Sequence, residues 1–289
     1  MNQVQIWRLI TRIGFFVVFV TAPVLNVFRL DLYEGNFLFF GMDWTLDIRD
    51  GDAADITFNL ITRAFLPLAS VVLLISWVSY KFGRIYCGWL CPHYSVVETI
   101  NYLMRRSIGK PTVWARSVQP AIRSDGVETI VKHQFLPLTM VAIIFFAALW
   151  AISLLTYLLP PTVIWGNVFR GELTHNQFLF ISVATTLFVL EFTLARHLFC
   201  RFGCAVGLFQ SLVWMANRKA RAVSFNRARA IDCVGCDKSC ELACPMMLKP
   251  RREKRKMFSC TQCLQCVQAC DRVQENTNQE SLLVWRKGI

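Results

Sequence analysis

The chain has 289 residues, of which 55% are hydrophobic and only 17% are charged, and its formal net charge is +12. Soluble domains usually carry about 25% charged residues, so this composition argues against a soluble globular protein and favours a lipid-embedded one. The basic residues lie in blocks beside apolar runs, as in the cytoplasmic loops of membrane proteins, and no nucleic-acid-binding motif stands out. We therefore expect membrane lipid, and no nucleic acid, as a partner.

Four apolar segments are long enough, or nearly so, to cross a membrane as helices, which takes about 20 residues. They cover residues 13–28, 64–80, 134–159 and 178–195. A cleaved signal peptide is an alternative for the first, because Arg8 and Arg12 precede it, but no small-x-small site follows the run. The sequence therefore predicts an all-α membrane region with four transmembrane helices.

The charges of the loops orient these helices. The loop over residues 31–59 is acidic and contains Asp31, Glu34, Asp43, Asp47, Asp50, Asp52 and Asp55. The connector over residues 81–133 and the tail after Arg196 are instead rich in Lys and Arg. Because basic loops are retained on the cytoplasmic side, both termini are expected to be cytoplasmic and the acidic loop to face outside.

A short motif occurs twice, 113 residues apart. Its copies read Tyr86-Cys87-Gly88-Trp89-Leu90-Cys91 and Phe199-Cys200-Arg201-Phe202-Gly203-Cys204. An amphipathic stretch follows each copy, with apolar positions at Val96, Val97, Ile100, Leu103 and Met104, and at Leu208, Phe209, Leu212, Val213 and Trp214. The repeat predicts two like-oriented hairpins, each followed by a helix at the inner interface. The domains are then residues 1–110, 111–222 and 223–289.

The two Cys-x3-Cys pairs are candidates for a common metal site. If each pair were helical, its two thiols would share one face, and symmetric packing of the hairpins would bring Cys87, Cys91, Cys200 and Cys204 together. The alternatives are a third cluster, a soft-metal site such as Cu(I), a redox dithiol, or buried small hydrophobic side chains without a function.

The remaining eight cysteines form two runs in the tail. The runs are Cys233-x2-Cys236-x3-Cys240-x3-Cys244 and Cys260-x2-Cys263-x2-Cys266-x3-Cys270. Disulfides are disfavoured because the tail lies on the predicted reducing side. Zinc sites favour two widely separated pairs, whereas three close cysteines and a fourth shortly after are typical of iron–sulfur clusters.

The second run resembles a half-motif of the bacterial two-cluster ferredoxins, and the first is similar with one extra residue before Cys240. The resemblance implies a small α+β ferredoxin-like domain with two [4Fe–4S] clusters. It implies one cluster on Cys233, Cys236, Cys240 and Cys270, and the other on Cys260, Cys263, Cys266 and Cys244. Asp271 stands where these ferredoxins usually have proline.

The whole pattern of four spans, two Cys-x3-Cys motifs and a two-cluster tail resembles the membrane polyferredoxins. These include the ferredoxins associated with periplasmic nitrate reductase, the methylamine-utilisation ferredoxins and the oxidase-assembly proteins linked to copper reduction. The resemblance implies a location in the bacterial inner membrane. It also implies a quinol dehydrogenase component that works with the quinone pool and a membrane or cytoplasmic redox protein.

Ionisable residues in or near the spans are candidates for the protons that quinol oxidation releases. Glu191 lies near the inner end of the fourth span, His197 follows it, and His93 follows the first Cys motif. The alternative is a structural ion pair of Glu191 with Arg63 or Arg196.

A basic run over residues 249–256 separates the two tail runs. We interpret it as a solvated or headgroup-facing loop, with a docking patch for an acidic partner or for anionic lipid as the alternative.

The function expected from this sequence is membrane electron transfer between the quinone pool and a redox partner. Two alternatives remain open. One is reduction of Cu(II), with copper on the Cys-x3-Cys pairs, and the other is a non-catalytic membrane anchor or assembly subunit with structural clusters.

Overall fold

The structure is a computed structural model that describes residues 3–32, 35–46, 52–115, 117–275 and 278–287. The protein is mostly helical. In chain order its helices and strands are α1 (Gln3–Thr21), β1 (Phe28–Asp31), β2 (Asn36–Phe39), β3 (Met42–Trp44), α2 (Ala53–Phe82), α3 (Ile85–Trp89), α4 (Pro92–Ile108), α5 (Phe135–Thr156), α6 (Pro161–Arg170), α7 (His175–Gly203), α8 (Ala205–Ala216), β4 (Arg221–Phe225), α9 (Ser239–Leu242), α10 (Gln265–Glu275) and β5 (Leu283–Lys287).

Four helices in the described part of the chain are long and apolar enough to cross a membrane: α1, α2, α5 and α7. This number agrees with the prediction, but the ends differ. Helix α1 begins well before residue 13 because Arg8 and Arg12 are buried inside the protein instead of ending the helix. Helix α2 begins at Ala53, within the stretch expected to be a loop. Of that loop, Glu34, Asp47 and Asp50 lie outside the described residues, as does Arg49.

Two of the long helices contain wider, π-helical turns. One lies at Leu60–Phe65 in α2, and α7 has two, at Glu191–Ala195 and Phe199–Gly203. Arg196 stands between the turns of α7 with a φ of +25°, which non-glycine residues rarely adopt. Such turns occur frequently at functional sites. The regular α-helical hydrogen bonding of α7 is therefore interrupted over its last part, from Glu191 to Gly203.

One compact unit of the chain comprises residues 17–77 and 144–189. It contains an antiparallel meander of β1, β2 and β3, in which Phe28 pairs with Phe39 and Phe37 with Trp44. The meander is anchored where the amide of Leu30 donates to Tyr157 O over 2.9 Å.

The other compact unit comprises the chain through residue 16, residues 78–143 and the chain from residue 190 onward. All twelve cysteines lie in it. Its buried core combines side chains from α4, α8 and the tail, including Tyr94, Trp214, Met246, Leu282 and Leu283. The cysteine-bearing segments therefore fold around one shared core.

Both amphipathic stretches are helices, α4 and α8, as predicted. The buried face of α4 includes Val96, Val97, Ile100 and Met104, which agrees with the predicted face. In α8 only Trp214 of the apolar set is buried, and the other buried residues are Gly207, Gln210 and Ser211. Polar and small residues face inward there because the buried Arg84 packs against this side. That the remaining apolar positions face the membrane interface stays a prediction.

The tail is more regular than its polar composition suggested. Strand β5 pairs antiparallel with β4, so that Phe225 lies opposite Leu283 and Val223 opposite Trp285. After Asp271 the tail thus contains the end of α10 and the strand β5.

Candidate functional site

The structure brings together four cysteines from both tail runs around one space of about 350 Å³, which we call pocket A. These are Cys233, Cys236, Cys240 and Cys270. They are the four that the resemblance to two-cluster ferredoxins assigns to one cluster. Lys238, Ser239, Arg251, Val273 and Gln274 complete the lining.

The backbone of the first run has to curve tightly to present three thiols to one space. Gly235, with a φ of +87°, and Lys238, with a φ of +64°, supply this curvature. Asp237 secures the bend, because its amide bonds to Ser124 Oγ over 3.1 Å and its carboxylate accepts from the amide of Ser124 and the hydroxyl of Ser239.

A second space of about 330 Å³, pocket B, is lined by Cys244, Cys260, Cys263 and Cys266. This is the other ligand set that the resemblance implies. The rest of its lining is mainly apolar and includes Val223, Met246, Leu248, Met257 and Leu264. The amide of Leu248 donates to the Cys244 sulfur over 3.4 Å, the type of contact that stabilises a sulfur carrying negative charge.

The donor sets of both pockets fit an iron–sulfur cluster. Burial raises the pKa of Cys240, Cys244 and Cys260 to about 12, so these thiols hold their protons until a metal displaces them. Among the described residues, no three His, Cys, Asp or Glu side chains lie close enough to hold a single metal ion. Four spread thiols around a larger space suit a multi-iron group better than tetrahedral zinc with bonds of about 2.3 Å.

The four cysteines of the repeated motif also lie close together, and we call them the four-cysteine site: Cys87, Cys91, Cys200 and Cys204. Their thiols are near enough for their charges to interact. Neither pair lies on one continuous α-helix. Cys91 and Cys204 directly precede α4 and α8, while Cys87 lies on the short α3 and Cys200 on a π-helical turn.

Two of the three predicted proton acceptors meet beside this site. His93 Nε2 lies 2.9 Å from Glu191 Oε2, and His93 Nδ1 lies 3.7 Å from the Cys200 sulfur. The rings of Phe192 and Phe199 pack against the imidazole at 5.4 and 5.3 Å. The predicted ion pair of Glu191 with Arg63 or Arg196 is replaced by this pair with His93. The Oε1 atom of this half-buried carboxylate is itself buried and has no hydrogen-bond partner among the described residues.

His197 is buried on α7, and its Nδ1 has no hydrogen-bond partner within the described part of the chain. Its ring joins none of the described hydrogen bonds of His93 and Glu191. The structure therefore separates the three candidates into a pair and a single buried histidine.

The first Cys motif packs directly against the loop of pocket B. The backbone of Gly88 lies so close that a Cβ there would overlap the carbonyl oxygen of Thr261. Trp89 Nε1 donates to Gln262 O over 3.1 Å, and Gln5 Nε2 donates to Cys263 O over 2.8 Å. The four-cysteine site and pocket B are thus in contact through backbone.

A buried carboxylate that the sequence analysis missed supports this contact. Glu98 accepts from Arg8 at 2.5 Å, Arg12 at 2.6 Å and Gln265 Nε2 at 2.5 Å, and so joins α1, α4 and α10. Burial alone would raise the pKa of Glu98, but the attraction of the two arginines outweighs it and lowers the pKa. The spacing of Arg8 and Arg12, four apart beside an apolar run, was the available signal.

The basic run over residues 249–256 is divided by the fold. Lys254 turns inward, where its Nζ donates to Trp214 O over 3.1 Å and to Asn217 O over 2.5 Å. Arg251 pairs with Glu241 at 2.8 Å and lines pocket A. The exposed members of the run are Lys249, Arg252, Arg255 and Lys256.

Comparison with known proteins gives the same chemistry. A family model described as a 4Fe-4S binding domain matches residues 64–111 and 176–222, each of which contains one Cys-x3-Cys pair. The electron transport protein YccM of Escherichia coli is 23% identical over 221 residues, which is 75% of this chain and 58% of YccM. The chain thus spans less than two thirds of that relative. No solved structure matches the chain.

Two ferredoxin-type relatives match over more of their length. NapH of Haemophilus influenzae is 21% identical, covering 93% of this chain and 87% of NapH. The methylamine utilization ferredoxin-type protein MauN of Methylorubrum extorquens is 24% identical, covering 81% of this chain and 73% of MauN. These matches and the four apolar helices support iron–sulfur electron transfer in a membrane protein. The chain is thus similar to the NapH/MauN-type polyferredoxins.

Proposed function

We propose that this protein transfers electrons between the membrane quinone pool and a redox partner through iron–sulfur clusters held by its cysteines. The observation that carries the proposal is the backbone contact of Gly88 with Thr261, which places the four-cysteine site directly against pocket B. Pocket A is adjacent to pocket B, because Cys266 of pocket B and Cys270 of pocket A lie about one turn apart on α10. Three thiol sites in series form a path for electrons.

In this proposal pockets A and B each hold one [4Fe–4S] cluster. The four-cysteine site holds a third cluster or soft-metal group. Among the described residues, no three of its thiols lie close enough together to hold a single metal ion, which favours a group with several metal atoms. When bound, such clusters accept and release one electron at a time. The remaining work falls to the protein, which has to exclude water, position the thiolates and take up protons.

The pair of His93 and Glu191 is the proposed proton acceptor. Quinol oxidation releases two electrons and two protons, and a half-buried imidazole–carboxylate pair whose His93 Nδ1 lies 3.7 Å from the Cys200 sulfur can take protons where the electrons leave. His197 is a secondary candidate, because it is buried nearby in sequence on α7. The catalytic part of a quinol dehydrogenase component is thus proposed on α4 and α7.

The far end of the path suits a redox partner. Cys233 and Cys236 of pocket A are only half-buried, and the side chains of Ile231 and Val234 beside them are 77% and 80% exposed. Exposed apolar residues beside a redox centre are typical of a transient protein contact. We propose that electrons pass here between the protein and its partner.

The proposed location is the bacterial inner membrane with both termini cytoplasmic, supported by the basic loops and the acidic residues of the segment after α1. The proposed domains remain two hairpin regions, residues 1–110 and 111–222, and a ferredoxin-like tail, residues 223–289. The two separate matches of the family model, one for each Cys-x3-Cys pair, support the repeat.

The test is electron exchange between the purified, cluster-loaded protein and a quinol analogue under anaerobic conditions, followed by cluster absorbance and electron paramagnetic resonance. We expect quinol-dependent reduction or quinone-dependent reoxidation. Glu191→Gln should slow this exchange roughly 100-fold, because general-base catalysis contributes about 10²–10⁴-fold, while its iron content stays unchanged.

The matched control is Glu172→Gln, since Glu172 is an exposed carboxylate at the opposite end of α7. It should exchange electrons at the wild-type rate. A wild-type protein that ignores quinols but whose clusters are oxidised by Cu(II) would replace the proposal with metal reduction. Clusters that respond to neither would indicate an anchoring or assembly subunit.

A further inference from the structure

Arg84, in the turn between α2 and α3, is a buried cation that pairs with no carboxylate in the described part of the chain. Its side chain is 1% exposed. Nε donates to Ser211 Oγ and Nη1 donates to Cys200 O over 2.6 Å. Nη2 has no hydrogen-bond partner, and no described carboxylate lies within ion-pair distance of the guanidinium group. Burying a charge without a counter-charge is costly, so an anion is expected beside it.

The groups whose charges act on this guanidinium are thiols. Three belong to the four-cysteine site, namely Cys87, Cys200 and Cys204, and the fourth is Cys260 of pocket B. As neutral thiols they do not balance a cation. As thiolates that bind a metal group they carry the missing negative charge.

Arg84 also links the four-cysteine site to the loop of pocket B through hydrogen bonds. Ser211 Oγ, which accepts from Arg84, donates in turn to Phe258 O over 2.6 Å, two residues before Cys260. The ring of Phe258 lies 5.7 Å from the guanidinium carbon. Gly207 leaves room for the group, since a Cβ there would lie 2.9 Å from Arg84 Nη1.

We propose that Arg84 is the positioning residue that balances the negative charge of a thiolate-bound cluster in the four-cysteine site and holds that site against the loop of pocket B. This inference rests on the proposed presence of a metal group at the four cysteines. A reduced cluster carries one more negative charge than the oxidised cluster, so a nearby cation favours reduction. Arg84 therefore raises the reduction potential of the group at the four-cysteine site.

The experiment first measures iron and acid-labile sulfide in the full-length protein and in a variant with all four motif cysteines changed to Ser. Redox titration of the full-length protein, followed by electron paramagnetic resonance, then gives the potential of the signal that the Ser variant lacks. Arg84→Gln should decrease the ratio of reduced to oxidised cluster at fixed potential roughly tenfold, a shift of about 59 mV to more negative potential for one electron.

Arg84→Lys keeps the charge and should keep the potential near that of the wild type, although it loses the two-sided hydrogen bonding. Arg218→Gln is the matched control, because it removes the same charge from an exposed position at the end of α8, and it should change neither iron content nor potential. If Arg84→Gln loses the signal altogether, retention of the signal in Arg84→Lys still supports the need for a cation there.

Two failures are distinguishable. If the Ser variant retains all the iron and sulfide of the wild type, the four-cysteine site holds no cluster, and the proposals for that site and for Arg84 both fall. If the Ser variant loses iron but Arg84→Gln titrates at the wild-type potential, only the role of Arg84 is rejected.

Discussion

The two Cys-x3-Cys turns have the same spacing but different surroundings. The first turn, residues 87–91, packs against the loop of pocket B through the backbone of Gly88 and the indole of Trp89. The second turn, residues 199–204, lies on a π-helical segment, and its Cys200 sulfur faces His93. The two copies therefore supply the same number of thiols but have different neighbours. The first copy contacts the tail, whereas the second contacts the histidine–glutamate pair.

Equivalent residues in the helices that follow the two turns also differ in their contacts. Glu98 and Ser211 are equivalent, 113 residues apart. Glu98 balances two buried arginines, whereas the hydroxyl of Ser211 binds Arg84 without neutralising it. The first copy therefore carries a carboxylate that balances its arginines, whereas the second leaves Arg84 for the thiolate-bound group that we propose.

Of the variants that test the difference between the two copies, Glu98→Gln is expected to have the largest effect on the free energy of unfolding. The change keeps the side-chain shape but leaves two buried guanidinium groups without a carboxylate, which should lower the free energy of unfolding by about 3–5 kcal/mol. The equivalent change in the second copy, Ser211→Ala, should cost only about 1–3 kcal/mol. Thermal unfolding in detergent measures both, and equal losses would remove the proposed division between the copies.

The same two variants should also differ in how their loss of stability depends on pH. Because the pKa of Glu98 is lowered from 4.5 in the folded protein, its contribution to stability is present above pH 4.5 and is lost as the pH falls through the folded pKa. The stability gap between wild type and Glu98→Gln should therefore be full at neutral pH and shrink below pH 4.5. The gap for Ser211→Ala should stay constant, since a hydroxyl does not titrate there.

A second, smaller effect is expected at Gly88. Gly88→Ala places a methyl group against Thr261 O, so the loop of pocket B has to move, at a cost of about 1–3 kcal/mol. We expect this variant to lose about four iron atoms per chain, the content of one cluster. Iron analysis measures the loss.

Arg201→Ala is the matched change, 113 residues later, where the side chain lies over the ring of Phe202 at 5.0 Å and not against the tail. It should retain the iron of the wild type. An unchanged iron content in Gly88→Ala would show that the close contact with Thr261 is not needed for cluster binding.

The smallest effect concerns the residues that begin the two amphipathic helices. Pro92 begins α4, whereas Ala205 begins α8 after an extended Cys204 with φ −80° and ψ 110°, a conformation compatible with a following proline. Ala205→Pro should stabilise the protein by about 0.4–1 kcal/mol, and Pro92→Ala should destabilise it by a similar amount. A shift of the unfolding midpoint in the same direction for both variants would contradict this equivalence.

Much of the architecture could be predicted from local pattern. Runs of apolar residues long enough to span lipid indicated the four helices, and the periodicity of Val96, Val97, Ile100 and Met104 indicated the inner face of α4. The inner face of α8 could not be predicted in this way, because it is polar. Ser211 binds Arg84, and Gln210 lies 3.5 Å from the Cys87 sulfur, so both face inward toward partners more than 120 residues earlier in the chain.

The spacing of the tail cysteines indicated cluster chemistry, and the resemblance to two-cluster ferredoxins implied the two ligand sets that pockets A and B bring together. The proton-acceptor candidates were named as ionisable residues in or near the apolar spans, but the partner of Glu191 was not predicted. His93 is 98 residues away in the chain, and only the packing of α4 against α7 brings them together.

The sequence by itself determined the number of apolar helices, the repeat and the chemistry of the cysteines, because hydrophobicity and thiol spacing are properties of neighbouring residues. The tertiary structure decided which buried charges meet: Glu98 with Arg8 and Arg12, Glu191 with His93, and Arg84 with the thiols. Electrostatic partners depend on distance in space, and local pattern carries no information about contacts between segments far apart in the chain.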